Sequence, residues 1–180
     1  MTFPAFNEFP SIPRLFRECV VTEKIDGTNA SVHVLEDGTV LAGSRSRYLT
    51  ETADNFGFAK WVKTHEAELR DGLGIGQHFG EWFGSGIQRA YGLVNGDKRF
   101  ALFNRHRWAE TRPACCEVVP LLYEGVFDTD AIRTTATLLL NNGSKIVPGF
   151  ARPEGIVVYH TKSKQLYKYT FDKNDGHKSA

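Results

Sequence analysis

Apolar residues form a short run over Cys19–Glu23 leading into the Lys24 turn, alternate with small or polar ones over Ala30–Leu35, and make a return run over Val40–Arg45 after a hairpin signal. These predict three strands, the alternation because successive strand side chains point to opposite faces. Between the second and third, Glu36-Asp37-Gly38-Thr39 carries the Asp-Gly pair of a hairpin turn. The period then changes. Phe58, Trp61, Val62, His65 and Leu69 recur at helical spacing, which predicts one amphipathic helix over Phe56–Leu69, closed by Gly72–Gly76. Further strands are predicted at Gln77–Phe83, Arg99–Asn104, Gly155–Tyr159 and Gln165–Phe171, the last two joined by a polar hairpin at Thr161–Lys164. A second helix is predicted over Asp128–Asn141, with Asp128 or Thr129 as N-cap and Asn141–Gly143 as exit. Pro113 and Pro120 break up Thr111–Leu122, which receives no assignment. Met1–Arg17, with three prolines, reads as mostly loop, and Asp172–Ala180 as a polar, frayed tail.

The elements sum to an α+β fold of mostly antiparallel sheets with flanking helices, expected as a single domain over residues 1–180. Strands packed around a cleft can bring Lys24, Glu81, Glu154 and Lys168 together near strand ends.

Composition narrows the picture. With 41% hydrophobic residues the chain can bury a core, and 13 Phe, 6 Tyr and 3 Trp leave rings over for stacking. The net charge of +1 gives no global basic field, so any polyanion site is a local patch. Cys19, Cys115 and Cys116 form neither a disulfide framework nor a zinc spacing, which fits a reduced, cytoplasmic compartment. Met1–Pro13 has no secretory pattern, and no apolar run reaches the roughly 18 residues needed to span a membrane.

Candidate chemistry centres on Glu23-Lys24-Ile25-Asp26-Gly27-Thr28-Asn29. A lone lysine is most often a solvated surface charge. Set two residues before an aspartate, at the lip of a glycine turn, it is also the arrangement nucleotidyl transfer through an amine requires. The amine must lose its proton and meet a phosphorus held close by. Asp26 could orient the amine or a ribose, or serve the turn alone.

These seven residues resemble motif I of the covalent nucleotidyltransferases, the ATP-dependent ligases and GTP-dependent capping enzymes. Thr28-Asn29 is similar to the RNA ligases among them. Phe79-Gly80-Glu81-Trp82-Phe83-Gly84-Ser85-Gly86-Ile87-Gln88-Arg89 resembles motif III of phage-type RNA ligase 2 over eleven residues. Asp97–Asn104 is similar to motif IIIa, Pro153–Val158 to motif IV and Leu166–Tyr169 to motif V, so the likeness runs from residue 23 to 170.

The resemblance implies an ATP-dependent RNA ligase with the ATP-grasp-like nucleotidyltransferase fold of ligases and capping enzymes. Lys24 would take AMP from ATP, and the AMP would pass to an RNA 5′-phosphate before a 3′-hydroxyl seals the joint. Lys168 would bind the α-phosphate. Glu81 would accept from a ribose hydroxyl, and Phe103 would stack on adenine, with Phe100 a rival because the two point to opposite faces of a strand. Glu154 would hold Mg²⁺ or Mn²⁺. Arg45, 21 residues after Lys24, would contact a phosphate, with Arg47 able to share the task. Asn29 would bind phosphate or ribose, and Glu23 and Ile25 count among the nucleotide contacts.

Three departures stand out. Motif V has Lys168-Tyr169-Thr170 where the family has Lys-x-Lys, so one lysine is missing or is supplied by Lys164 or Lys173. Asn104 replaces an aspartate at the end of motif IIIa. No C-terminal accessory domain is expected after motif V, which would make the chain a minimal ligase or an adenylation domain served by a separate end-binding protein. A monomer is expected. Two other readings remain: the same chemistry on DNA nicks or mRNA 5′ ends, and a module that binds nucleotide or nucleic-acid ends without sealing them.

Overall fold

A computed structural model describes residues 3–172. The expected frayed tail therefore lies almost wholly outside the described residues, as does Lys173. The strands are β1 (Glu18–Lys24), β2 (Thr28–Val34), β3 (Val40–Ser44), β4 (Tyr48–Leu49), β5 (Gly76–Gly84), β6 (Lys98–Leu102), β7 (Cys116–Val118), β8 (Leu121–Val126), β9 (Gly155–His160) and β10 (Gln165–Thr170). The helices are α1 (Phe58–Thr64), α2 (Glu66–Leu73), α3 (Arg105–Trp108) and α4 (Thr129–Asn142). They build one sheet of order β4-β3-β2-β5-β6-β7 and a second of order β10-β9-β1-β8. All pairings are antiparallel except β6 with β7. The α+β expectation holds.

β1 belongs to the four-stranded sheet and β2 to the six-stranded one. The Ile25–Gly27 turn is therefore the seam between the sheets. A Cβ on Gly27 would lie 2.4 Å from the Trp82 carbonyl oxygen and 2.9 Å from the Phe83 Cβ. Both neighbours sit on β5 and cannot move without breaking a ladder. Gly27→Ala is expected to cost about 1–3 kcal/mol through overpacking, read as a lower midpoint in denaturant unfolding.

Each sheet buries one face under helices. Ala30, Val32, Trp82 and Phe100 pack with Phe58, Val62 and Leu69 of α1 and α2. Cys19, Val21, Ile156 and Val158 pack with Ala136 and Leu139 of α4. A third cluster, of Ile25, Phe83, Tyr91 and Ala101 with Phe150, supports the seam.

Two expectations are corrected. The single helix over 56–69 is two, broken at His65 (φ −105°, ψ 17°), whose Nδ1 lies 2.9 Å from the Trp61 carbonyl oxygen. A side chain that competes for a helical carbonyl favours a break there, while both halves still bury the same apolar stripe. The stretch left unassigned holds β7 and the start of β8, with Pro120 between them. Pro120 accepts the Glu23 amide (3.1 Å), and β1 bulges beside it at Val21/Thr22. The second helix is as expected: Asp128 caps it by accepting from the Asp130 and Ala131 amides.

Candidate active site

The antiparallel register of β1 and β9 sets Lys24 opposite Gly155. Glu154, one residue earlier, thereby meets the lysine. Lys24 Nζ lies 2.5 Å from Glu154 Oε2, with the two side chains 24% and 15% exposed. Glu81 reaches the same place from the other sheet. It lies on β5 opposite Asn29 of β2, and its Oε1 accepts the Gly27 amide at 3.2 Å. Burial pushes the Glu81 carboxyl up to about 7, against the opposing pull of the Lys24 charge and the Gly27 amide. Glu154 and Asp26 are near enough to raise it further. The structure thus gathers Lys24, Glu81, Glu154 and Asp26 from the end of β1, the interior of β5, the approach to β9 and the seam between the sheets.

Asp26 turns from the amine to Arg89, whose Nε donates to Asp26 Oδ2 at 2.8 Å. The same guanidinium donates to the carbonyls of Arg152 and Pro153, just before Glu154, and pairs with Asp172. Tyr91 is fully buried; its hydroxyl donates to the Lys24 carbonyl (3.3 Å) and accepts from the Asp26 amide (3.1 Å). Burial raises its phenol well above the ordinary tyrosine range. Arg89 and Tyr91 hold the residues on either side of the turn, and sequence reading gave neither a role. The signal was their place at the end of the Phe79–Arg89 run, where the non-glycine residues Gln88, Ala90 and Tyr91 take positive φ. Such local strain persists only when surrounding structure imposes it.

Strand alternation sets the two candidate rings on opposite faces. Phe100 is fully buried under the helices, whereas Phe103 is 39% exposed on the Glu81 side of the sheet. Lys168 pairs with Val157, which pairs with Thr22, so Lys168 and Lys24 share a face of the four-stranded sheet. Two strand spacings and two residues separate them, on the order of 12 Å of backbone; long side chains can converge on a ligand between. Lys164 cannot replace the missing lysine. It sits in the β9–β10 turn at the His160 end, five residues along the sheet from the Lys24 level, or about 17 Å. Arg45 follows β3 directly and is exposed near Asn29. Arg47 spends one nitrogen on the carbonyls of Tyr48 and Ala53.

Two expected nucleotide contacts are corrected at the side-chain level. Glu23 points to the opposite face from Lys24, is 1% exposed, and accepts the Lys145 and Ile146 amides on Oε2. Ile25 packs into the seam cluster. Adjacent strand residues cannot share a face, so Lys24 excludes Glu23 from the cleft. Asn104, the departure in motif IIIa, caps α3 by accepting the Arg107 amide.

No group of three or more metal-ligating side chains occurs among the described residues. The donors present suit a hard cation that keeps its waters and leans on phosphates, needing only one or two carboxylates. A surface hollow of about 330 Å³ lies elsewhere, lined by Arg105, His106, Arg107, Glu110 and Glu124, and contains none of the cleft residues. No helix among the described residues is long and apolar enough to cross a membrane.

Comparison with known proteins adds the family. Solved structures of the Naegleria gruberi RNA ligase resemble this fold. An apo variant matches with TM-score 0.62 at 19% identity, covering 93% of this chain and 57% of that one. A variant with AMP and Mn matches with TM-score 0.63 at 18% identity and the same coverage. One with ATP and Mn matches with TM-score 0.64 at 19% identity, again with 93% and 57% covered. The chain thus spans between 48% and 57% of the length of the structures it matches. Among curated proteins no sequence matches significantly. The family model described as RNA ligase matches residues 17–170. That match takes in both sheets and every residue of the carboxylate–lysine cluster, and on it the chain belongs to the RNA ligase family.

Proposed function

We propose that this chain is an ATP-dependent RNA ligase of the phage-type RNA ligase 2 kind, using Lys24 as its nucleophile. The observation that carries the reading is the Lys24–Glu154 contact inside a cleft that also holds Glu81. Glu154 Oε2 holds the amine in the cleft, and the amine gives up its proton to solvent before it attacks. Lys24 Nζ then attacks the α-phosphorus of ATP: a P–N bond forms, the bond to the bridging oxygen breaks, and pyrophosphate leaves with the electron pair. An oxygen of an RNA 5′-phosphate displaces the lysine to give an adenylated end. A 3′-hydroxyl attacks that end, and AMP departs.

Glu81 accepts from the ribose, and Phe103 stacks on the adenine at roughly 1–3 kcal/mol. Lys168, Arg45 and Asn29 face the phosphates and the RNA end. Mg²⁺ or Mn²⁺ on Glu154 would supply charge neutralisation at the transferring phosphate. Arg89 and Tyr91 keep the lysine and Glu154 segments in register by holding both to the seam.

Incubating the chain with Mg²⁺ and α-labelled ATP, then denaturing it, tests this. The expected result is an acid-labile, base-stable label from ATP. Label from GTP alone would indicate capping chemistry. No label would support the second reading, an end-binding module, which the single lysine on β10 favours.

A further inference from the structure

One face of the six-stranded sheet is covered by α1 and α2, and the other carries a line of rings. The register runs Tyr48 to Gly43 to Ser31 to Phe79 across β4, β3, β2 and β5. Phe103 continues it, its amide donating to the Phe79 carbonyl at 3.0 Å. The line thus crosses four strand spacings, about 19 Å. Tyr48, Phe79 and Phe103 are 57%, 49% and 39% exposed.

Between them Gly43 and Ser31 leave a gap, and His33 fills it. His33 Nε2 lies 3.2 Å from Ser31 Oγ, and its Nδ1 lies 3.3 Å from the Tyr48 hydroxyl. The His33 and Tyr48 rings meet edge to face with centroids 5.0 Å apart. A Cβ on Gly43 would lie 2.6 Å from Ser31 Oγ and 3.4 Å from His33 Nε2, so the glycine lets the imidazole lie across the strand. Ser31 is 1% exposed in this arrangement. Burial lowers His33 below the ordinary histidine range, which keeps the ring neutral at pH 7.

Exposed rings in line on a sheet suit flat partners, because every nucleobase has a π-face. The line begins at the ring assigned to adenine, one level from the Asn29–Glu81 pair. It ends beside Arg45 and Arg47, both exposed, where backbone phosphates find cations. We propose that Phe79, His33 and Tyr48 form a stacking platform for the unpaired bases of an RNA strand leading away from the nucleotide pocket. The identity of the strand rests on the ligase reading.

Fluorescence anisotropy with a short labelled single-stranded oligoribonucleotide and a blunt duplex of the same sequence tests the platform on the full chain. Tyr48→Leu keeps apolar area and removes the ring. It should weaken single-strand binding about tenfold, equivalent to about 1.4 kcal/mol, and leave duplex binding unchanged. Tyr48→Phe should bind like the parent. Unaltered single-strand binding by Tyr48→Leu, or a parallel loss on the duplex, overturns the proposal. The parent's own behaviour separates the two readings. A chain that takes label on Lys24 but binds no single-stranded RNA lacks the platform. One that binds through Tyr48 but takes no label has the platform without the ligase chemistry.

Discussion

Lys24→Met takes no label from α-labelled ATP, on the proposed chemistry. The substitution keeps an unbranched side chain of similar length and removes the nucleophile, so the adduct should fall below detection rather than decline in part. The same change alters the electrostatics in a measurable way. Lys24 lowers the Glu81 carboxyl, while Glu154 and Asp26 raise it. Without the ammonium only the Gly27 amide still opposes burial and the repulsive neighbours, and Glu81 should titrate above its value of about 7 in the parent. Carboxyl chemical shifts followed by NMR across pH would read this. Persistent label in Lys24→Met would show that another group is the nucleophile. An unmoved Glu81 titration would place the lysine outside the cluster.

Glu81→Gln should stabilise the chain at pH 8. A carboxyl whose folded-state pKa is raised holds its proton more tightly in the folded state than in the unfolded one. Stability is then full at low pH and declines as pH rises from the ordinary 4.5 toward about 7. The gap corresponds to on the order of 3 kcal/mol. Glutamine stays neutral throughout and can still accept the Gly27 amide. Its Tm at pH 8 should exceed the parent's by roughly 5–10 °C, and the two should converge below pH 4.5. A difference independent of pH would show that Glu81 is not desolvated. The same variant should label poorly with ATP, because a neutral amide is a weaker acceptor for a ribose hydroxyl than a carboxylate. A gain in stability paired with a loss of activity is the expected mark of a carboxylate kept buried for function.

Much of this was legible before any coordinates. The strands around Lys24, the Asp-Gly hairpin and the Asp128 cap are local, and side-chain period with turn chemistry specifies them. The candidate nucleophile, carboxylates and adenine ring could be named because motifs along the chain resemble those of the covalent nucleotidyltransferases. Their meeting could not be read that way. Lys24 and Glu154 are 130 residues apart and touch only through the β1–β9 register. Phe100 stood as a rival to Phe103 until the helices covered its face. Glu23 was counted with its neighbour until strand alternation turned it inward, and Asp26 stood between the amine, a ribose and the turn alone until Arg89 paired with it. Residue order sets which faces and turns can exist, through interactions a few residues long. Which faces meet is set by burial and pairing across the whole chain, and no short window of sequence contains that term.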